Sequence, residues 1–200
     1  MKRVAKLAVL ALVMAGPSFL VAQHSFREGE HIEVGAFADY FRFSAVNPAV
    51  NYVGLGGRAA LNLSPYMQLE AEMSYDFERN YTTLVSNGGI TSFATTNTRP
   101  LTGLFGPKFQ AGTSTFRAFV TGKVGFVSFS STTRPASGVT FTNAVNNVPY
   151  GNTDVAFYPG AGVEGFFGPI GLRLDVGDEI FLSNGVHDNL RVTFGPQFRF

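Results

Sequence analysis

"MQLEAEMSYDF", residues 67–77, alternates without a break. Met67, Leu69, Ala71, Met73, Tyr75 and Phe77 share one parity, while Gln68, Glu70, Glu72, Ser74 and Asp76 share the other. Successive side chains of a strand point to opposite faces, so this period of two reads as a strand with one apolar and one charged face. Glu70, Glu72 and Asp76 all lie on the charged face, and cations elsewhere must answer them. Where those cations lie decides what kind of sheet this is.

The same alternation recurs along the chain and predicts eight strands, near 32–43, 51–63, 66–78, 99–110, 115–129, 154–166, 170–181 and 189–200. In the fifth, Phe116, Ala118, Val120, Val124 and Phe126 oppose Arg117 and Lys123; in the seventh, Ile170, Leu172, Leu174 and Val176 oppose Arg173, Asp175 and Glu179. The first strand is the least regular, because Phe37, Phe41 and Phe43 share the parity of Glu33 and Asp39. Connections at 64–65, 111–114 and 167–169 are short and carry Gly or Pro, as tight turns do. Between them lie 44–50, 79–98, 130–153 and 182–188, two of them long and rich in Thr, Ser, Asn and Gly. A long–short order places every short turn at one end of the molecule, which is the anatomy of an outer-membrane barrel. The predicted fold is all-β: an eight-stranded antiparallel up-and-down transmembrane barrel with short periplasmic turns and longer outer loops.

Composition agrees with a membrane wall. Charged residues make up 14% of the 200 residues, against roughly 25% in ordinary globular domains. The absence of Cys excludes a disulfide framework and thiolate chemistry, and a net charge of +1 gives no reason to expect nucleic acid. Lys2, Arg3 and Lys6 precede an apolar run from Leu7 to Ala15 and small residues near Ala22, the layout of a cleaved secretory signal. The run falls short of the ~20 residues of a spanning helix and Pro17 follows it, which disfavours a retained anchor. The expected organisation is a signal peptide over 1–23 and a barrel domain over 24–200. Removal of the signal takes the net charge from +1 to −2.

A soluble lipocalin-like barrel or a sandwich would alternate too, with its charges outward. Against it stand the confinement of charge to one parity and the glycines on that parity, such as Gly54, Gly56, Gly106, Gly160 and Gly162, where a narrow lumen needs space. The chain also ends "RVTFGPQFRF". Thr193, Gly195, Phe198 and Phe200 fit the polar–x–Gly–x–x–aromatic–x–aromatic ending of outer-membrane barrels. On these features residues 24–200 resemble the small eight-stranded OmpA/OmpX-like outer-membrane barrels. The resemblance implies residence in the outer membrane, lipid as surroundings, and recognition of the last strand by the barrel-assembly machinery. Unlike OmpA, the sequence given stops at the last strand, so no peptidoglycan-binding domain is expected.

If Met67 to Phe77 face lipid, the carboxylates face the lumen. Charge in lipid is costly, and so is unpaired charge in a narrow protein interior. Parity turns Arg58, Lys108, Arg117, Lys123, Arg173, Arg191 and Arg199 inward, together with Glu33, Asp39, Glu70, Glu72, Asp76, Glu164, Asp175 and Glu179. This near balance predicts a self-neutralising ion-pair network. Turn lengths set Arg58 opposite Glu72 and Glu164 opposite Arg173, and the third strand is expected to bring Glu70 towards Lys108 and Arg117. A slip of one residue would undo these pairs.

Carboxylate pairs also do acid–base chemistry. Here each acid has a base within reach, the pattern of a structural network, so no catalytic residue, metal or cofactor is assigned. Lipid A-modifying barrels use His with Ser and an acid; the chain offers His24, His31 and His187, the last near Ser183 and Asp188. An eight-stranded lumen is just wide enough for side chains, and Tyr52, Tyr158 and Phe119 crowd it further, so an open channel is not expected. "LVSNGGITSF" and "GVTFTNAVNNVPY" alternate around turn residues and predict hairpins above the membrane, within loops 79–98 and 130–153. The resulting expectation is a closed, monomeric barrel with a structural or adhesin-like role, its loops open to a surface ligand. A lipid-modifying enzyme and a low-conductance channel are the alternatives.

Overall fold

The computed structural model describes residues 31–44, 49–87, 90–135, 153–182 and 186–200. Nine strands appear there: β1 (Ile32–Phe43), β2 (Val50–Ser64), β3 (Met67–Asp76), β4 (Arg79–Asn87), β5 (Ile90–Gly112), β6 (Phe116–Pro135), β7 (Thr153–Phe167), β8 (Ile170–Leu182) and β9 (Val186–Arg199). Each is antiparallel to its neighbours. β1 pairs with β9 and β3 pairs with β5, so the sheet closes on itself. β4 continues β3 upward and pairs with β5 alone among the described residues. The wall is therefore a closed barrel of eight staves, with β3 and β4 forming one of them.

The short turns all fall at one end. Residues 65–66, 113–115 and 168–169 connect β2 to β3, β5 to β6 and β7 to β8. In the second, the Thr113 hydroxyl accepts from the backbone N–H of Phe116 at 3.0 Å, satisfying a donor the ladder leaves free. Gly168 has φ +64°, a left-handed conformation that a side chain disfavours. The seam closes at the same end, where Phe200 N donates to Ile32 O at 2.8 Å.

Two differences from the predicted strands have physical causes. β5 begins at Ile90 and β6 runs on to Pro135, because Thr-rich stretches with few charges have the β propensity to keep pairing past the apolar belt. The other hairpin expected there, 138–150, lies outside the described residues. At the foot of β4 the wall also carries a bulge. Tyr75 pairs with Leu101 but Arg79 with Thr98, so Asp76, Phe77 and Glu78 stand against Arg99 and Pro100. The extra residue turns the parity of β4 over relative to β3.

Outside, the staves present Leu55, Met73, Phe105, Val124, Leu172 and Phe194, each two-fifths or more exposed. Tyr66, Phe116, Phe167 and Phe200 ring the short-turn end; Tyr75, Phe77, Phe126 and Phe157 ring the other. From Phe116 to Phe126 β6 rises about 34 Å along the strand. That is about 26 Å along the axis at a tilt of roughly 40°, the height of a membrane barrel's apolar band.

Candidate functional site in the barrel lumen

Alternation buries the charged face. Glu33, Asp39, Arg58, Glu70, Glu72, Asp76, Lys108, Arg117, Lys123, Glu164, Arg173, Asp175, Glu179, Arg191 and Arg199 are all under a tenth exposed. They are arranged in tiers. At the short-turn end Arg117 donates to Glu33 at 2.7 Å and lies 2.9 Å from Glu164, which Lys108 also bonds. Arg199 reaches the carbonyls of Gly168 and Ser114 and, with Arg117, brackets the Phe166 ring. At mid-height Arg173 bonds both oxygens of Glu70 and reaches Asp175 at 2.8 Å, while Lys123 bridges Glu70 at 2.5 Å and Glu72 at 2.6 Å. Above them the Arg191 guanidinium donates to Asp39 at 2.7 Å, to Glu72 at 2.9 Å and to the Ser74 hydroxyl at 3.0 Å, and lies 3.4 Å from Glu179.

The expected side-chain partners differ in three places. Arg58 stands opposite Glu72 in the β2–β3 register, yet it donates to Thr193 at 2.7 Å and lies 3.8 Å from Asp175. Its guanidinium rests 4.3 Å above the Phe37 ring. Glu70 goes to Arg173 and Lys123 rather than to Lys108 and Arg117, which take Glu164. In a barrel this narrow, long side chains reach across the lumen, and wall register does not dictate which partner they meet. Asp76 is the third case: its Oδ1 is buried with no hydrogen-bond partner among the described residues, against the expectation that every acid has its base. Glu164 does stand opposite Arg173, with 3.5 Å between their charged ends.

Oxygen atoms of Glu70, Glu72 and Asp175 lie within 4.8 Å of one another, a spacing that a metal ion can use. Here the Lys123 ammonium and the Arg173 guanidinium already take those oxygens, so a cation there would displace protein partners. The lumen glycines give room to rings. A Cβ on Gly56 would fall 2.3 Å from Phe37 Cζ, and one on Gly162 would fall 2.4 Å from Phe119 Cζ.

The outer mouth holds a cluster that the sequence reading did not assemble. Phe41, Phe43, Tyr52, Leu104, Val127, Phe129, Ala156 and Phe181 point inward and pack with Tyr158 as a buried apolar cap over the ion pairs. Phe43 stacks on Phe181 with centroids 5.9 Å apart, and Phe129 meets both rings within 5.4 Å. Its signal was in the sequence as the irregular parity of β1, whose phenylalanines are lumen residues and not errors of alternation. His187 lies against Phe181 at 5.3 Å. Asp188 follows it on β9, so the two side chains leave the strand on opposite faces; Ser183 lies outside the described residues.

No protein-family model and no curated protein matches the chain. Solved structures do. Neisserial surface protein A superposes with a TM-score of 0.51 at 10% identity, over 84% of this chain and 97% of that one. Outer membrane protein OprG from Pseudomonas aeruginosa gives 0.50 at 10% identity, over 86% and 96%. Ail, the attachment invasion locus protein of Yersinia pestis, gives 0.49 at 14% identity, over 87% and 100%. With its closed circuit of eight antiparallel staves, the chain has the fold of the small eight-stranded outer-membrane β-barrels.

Proposed function

We propose that the protein is a closed outer-membrane barrel with a structural or surface-recognition role, neither a diffusion pore nor an enzyme. The observation that carries this reading is the filling of the lumen, with ion pairs from the turn end to mid-height and an aromatic cap above. A pore needs a continuous polar path, and the Phe43–Phe129–Phe181 contacts stand across it. The apolar belt supports lipid as the surroundings. In this reading residues 1–23 are the cleaved export signal and the barrel is monomeric. On β9 Thr193 and Gly195 face the lumen and Phe198 faces outward, as does Phe200 just past its end, a display suited to the assembly machinery.

Recognition is assigned to the outer loops, 79–98 and 130–153. The backbone of β4, β5 and β6 pairs beyond the belt as a projecting sheet. An exposed strand edge offers unpaired N–H and C=O groups to an incoming extended chain. The test is reconstitution in planar lipid bilayers after gel analysis. The folded form is expected to run faster unheated than boiled and to give no single-channel steps. Steady conductance from protein with the folded mobility would overturn the closed reading, and an unchanged mobility with recovery in the soluble periplasmic fraction would overturn the membrane assignment.

A further inference from the structure

The lumen's charges do not cancel. Eight carboxylates and seven cations are buried among the described residues, and the mismatch is localised. Below Arg191 five acids share five bases in direct contact or close approach, Arg58, Lys108, Arg117, Lys123 and Arg173. In the outer chamber, beneath the aromatic cap, Asp39 and Glu179 lie 2.7 and 3.4 Å from Arg191, while among the described residues no ion pair reaches Asp76. That guanidinium is already committed to Asp39, Glu72 and Ser74. The two other acids of the chamber, Asp39 and Glu179, carry the same sign as Asp76.

Backbone register shows how the crowding arises. Gly54 of β2 pairs with Asp39 on one side and with Asp76 on the other. Its missing side chain leaves a gap, and the Asp76 carboxylate lies over it: a Cβ on Gly54 would fall 2.4 Å from Asp76 Oδ1. Asp76 is 1% exposed, and among the described residues no group donates a hydrogen bond to this Oδ1. A buried carboxylate oxygen without a donor is among the most costly arrangements a low-dielectric interior can hold.

We propose that the outer chamber is a binding site for one monovalent cation at Asp76. Glu179 already lies 3.4 Å from Arg191 and accepts from Thr102, so the carboxylate left to be answered is Asp76, and its one charge calls for one monovalent cation. Two sources supply the same chemistry, an alkali-metal ion seated beside Asp76 Oδ1 or a proton bound to it. The Thr102 hydroxyl, which donates to Glu179 at 3.0 Å, completes the polar lining on the β5 side.

The experiment compares the full chain with Asp76→Asn, whose amide has the shape of the neutral acid. Both are folded in detergent micelles, and urea midpoints are read in sodium chloride and in choline chloride of equal concentration. Infrared difference spectra between the two proteins, with aspartate carboxyl groups isotopically labelled, report the state of Asp76. An ionised Asp76 in the spectrum, with a midpoint that falls in choline for the full chain and not for Asp76→Asn, establishes the alkali ion. A protonated carboxyl band that vanishes in Asp76→Asn, with a midpoint indifferent to the salt, establishes the proton. An ionised Asp76 with a midpoint indifferent to the salt overturns the proposal, because the carboxylate then needs no added cation. If Asp76→Asn does not fold, Asp76→Glu gives the same reading, because the glutamate carries no label and the Asp76 contribution drops out of the labelled difference spectrum.

Discussion

Two parts of one lumen exclude water by opposite means. From the turn end to Arg191 the interior is filled by charges that bond one another; at the outer mouth it is filled by rings and aliphatic groups that pack on one another. The difference lies in what each tolerates. A charge in the lower network is specified by its partners, and removing it strands them even when the replacement has the same shape. A ring in the cap is specified by volume, and another apolar group of similar size serves. The strongest test is Arg191→Met, which leaves Asp39, Glu72 and Glu179 without their common donor. Loss on the order of 5 kcal/mol is expected, the upper range for breaking a buried pair. Refolding yield and urea midpoint in detergent read it, and a midpoint within error of the unsubstituted protein would refute the network as the source of stability.

Next in size is the Glu72–Lys123 contact. Glu72→Gln deprives Lys123 and Arg191 of an acceptor, and a loss of about 3–5 kcal/mol is expected. Lys123→Gln deprives Glu70 and Glu72 and is expected to cost a similar amount. The double change is expected to recover part of the loss, since fewer charges are then stranded, giving a coupling well above 0.5 kcal/mol in a double-mutant cycle. The same cycle on Arg58 and Glu72 sharpens the comparison. These residues are opposite in register but bonded elsewhere, and their coupling is expected to be the smaller of the two.

Val124→Arg tests the other face of the same stave. Val124 is half exposed on the belt next to the fully buried Lys123. Arg near the bilayer midplane costs about 2–4 kcal/mol, so impaired assembly in lipid with a milder effect in detergent is expected. Equal tolerance in both media would mean that this face does not meet lipid.

How far the sequence reaches can be judged residue by residue. The strands were legible because one face meets a uniform apolar surrounding and the other does not, which imposes strict alternation on β3, β6 and β8. Inward residues followed from parity alone, down to Lys123 and Arg173. Partners did not, because a long side chain in a narrow barrel has several acceptors within reach across the lumen. Arg58 leaving Glu72 for Thr193 is the case in point. The bulge at Phe77–Glu78 was hidden because one extra residue leaves no mark in composition. The cap was hidden because apolar residues on the inward parity look like interruptions until the staves are set side by side. Phe43, Phe129 and Phe181 come from three strands, and closure of the wall brings them together.

The smallest effect belongs to the cap. Phe181 is fully buried between Phe43 and Phe129 and makes no hydrogen bond through its ring. Phe181→Leu keeps an apolar group of nearly the same reach there, and near-conservative swaps of buried apolar residues cost less than about 1.5 kcal/mol. A small fall in urea midpoint is therefore expected, with the unheated gel mobility unchanged. No conductance should appear, because the ion pairs below the cap close the lumen independently. The two halves are in this sense redundant as seals and unequal as determinants of stability. Single-channel steps from Phe181→Leu would show that the cap is the sole barrier and that the charged lumen beneath it passes ions. A stability loss as large as that of Glu72→Gln would show instead that the cap is specified as tightly as the network it covers.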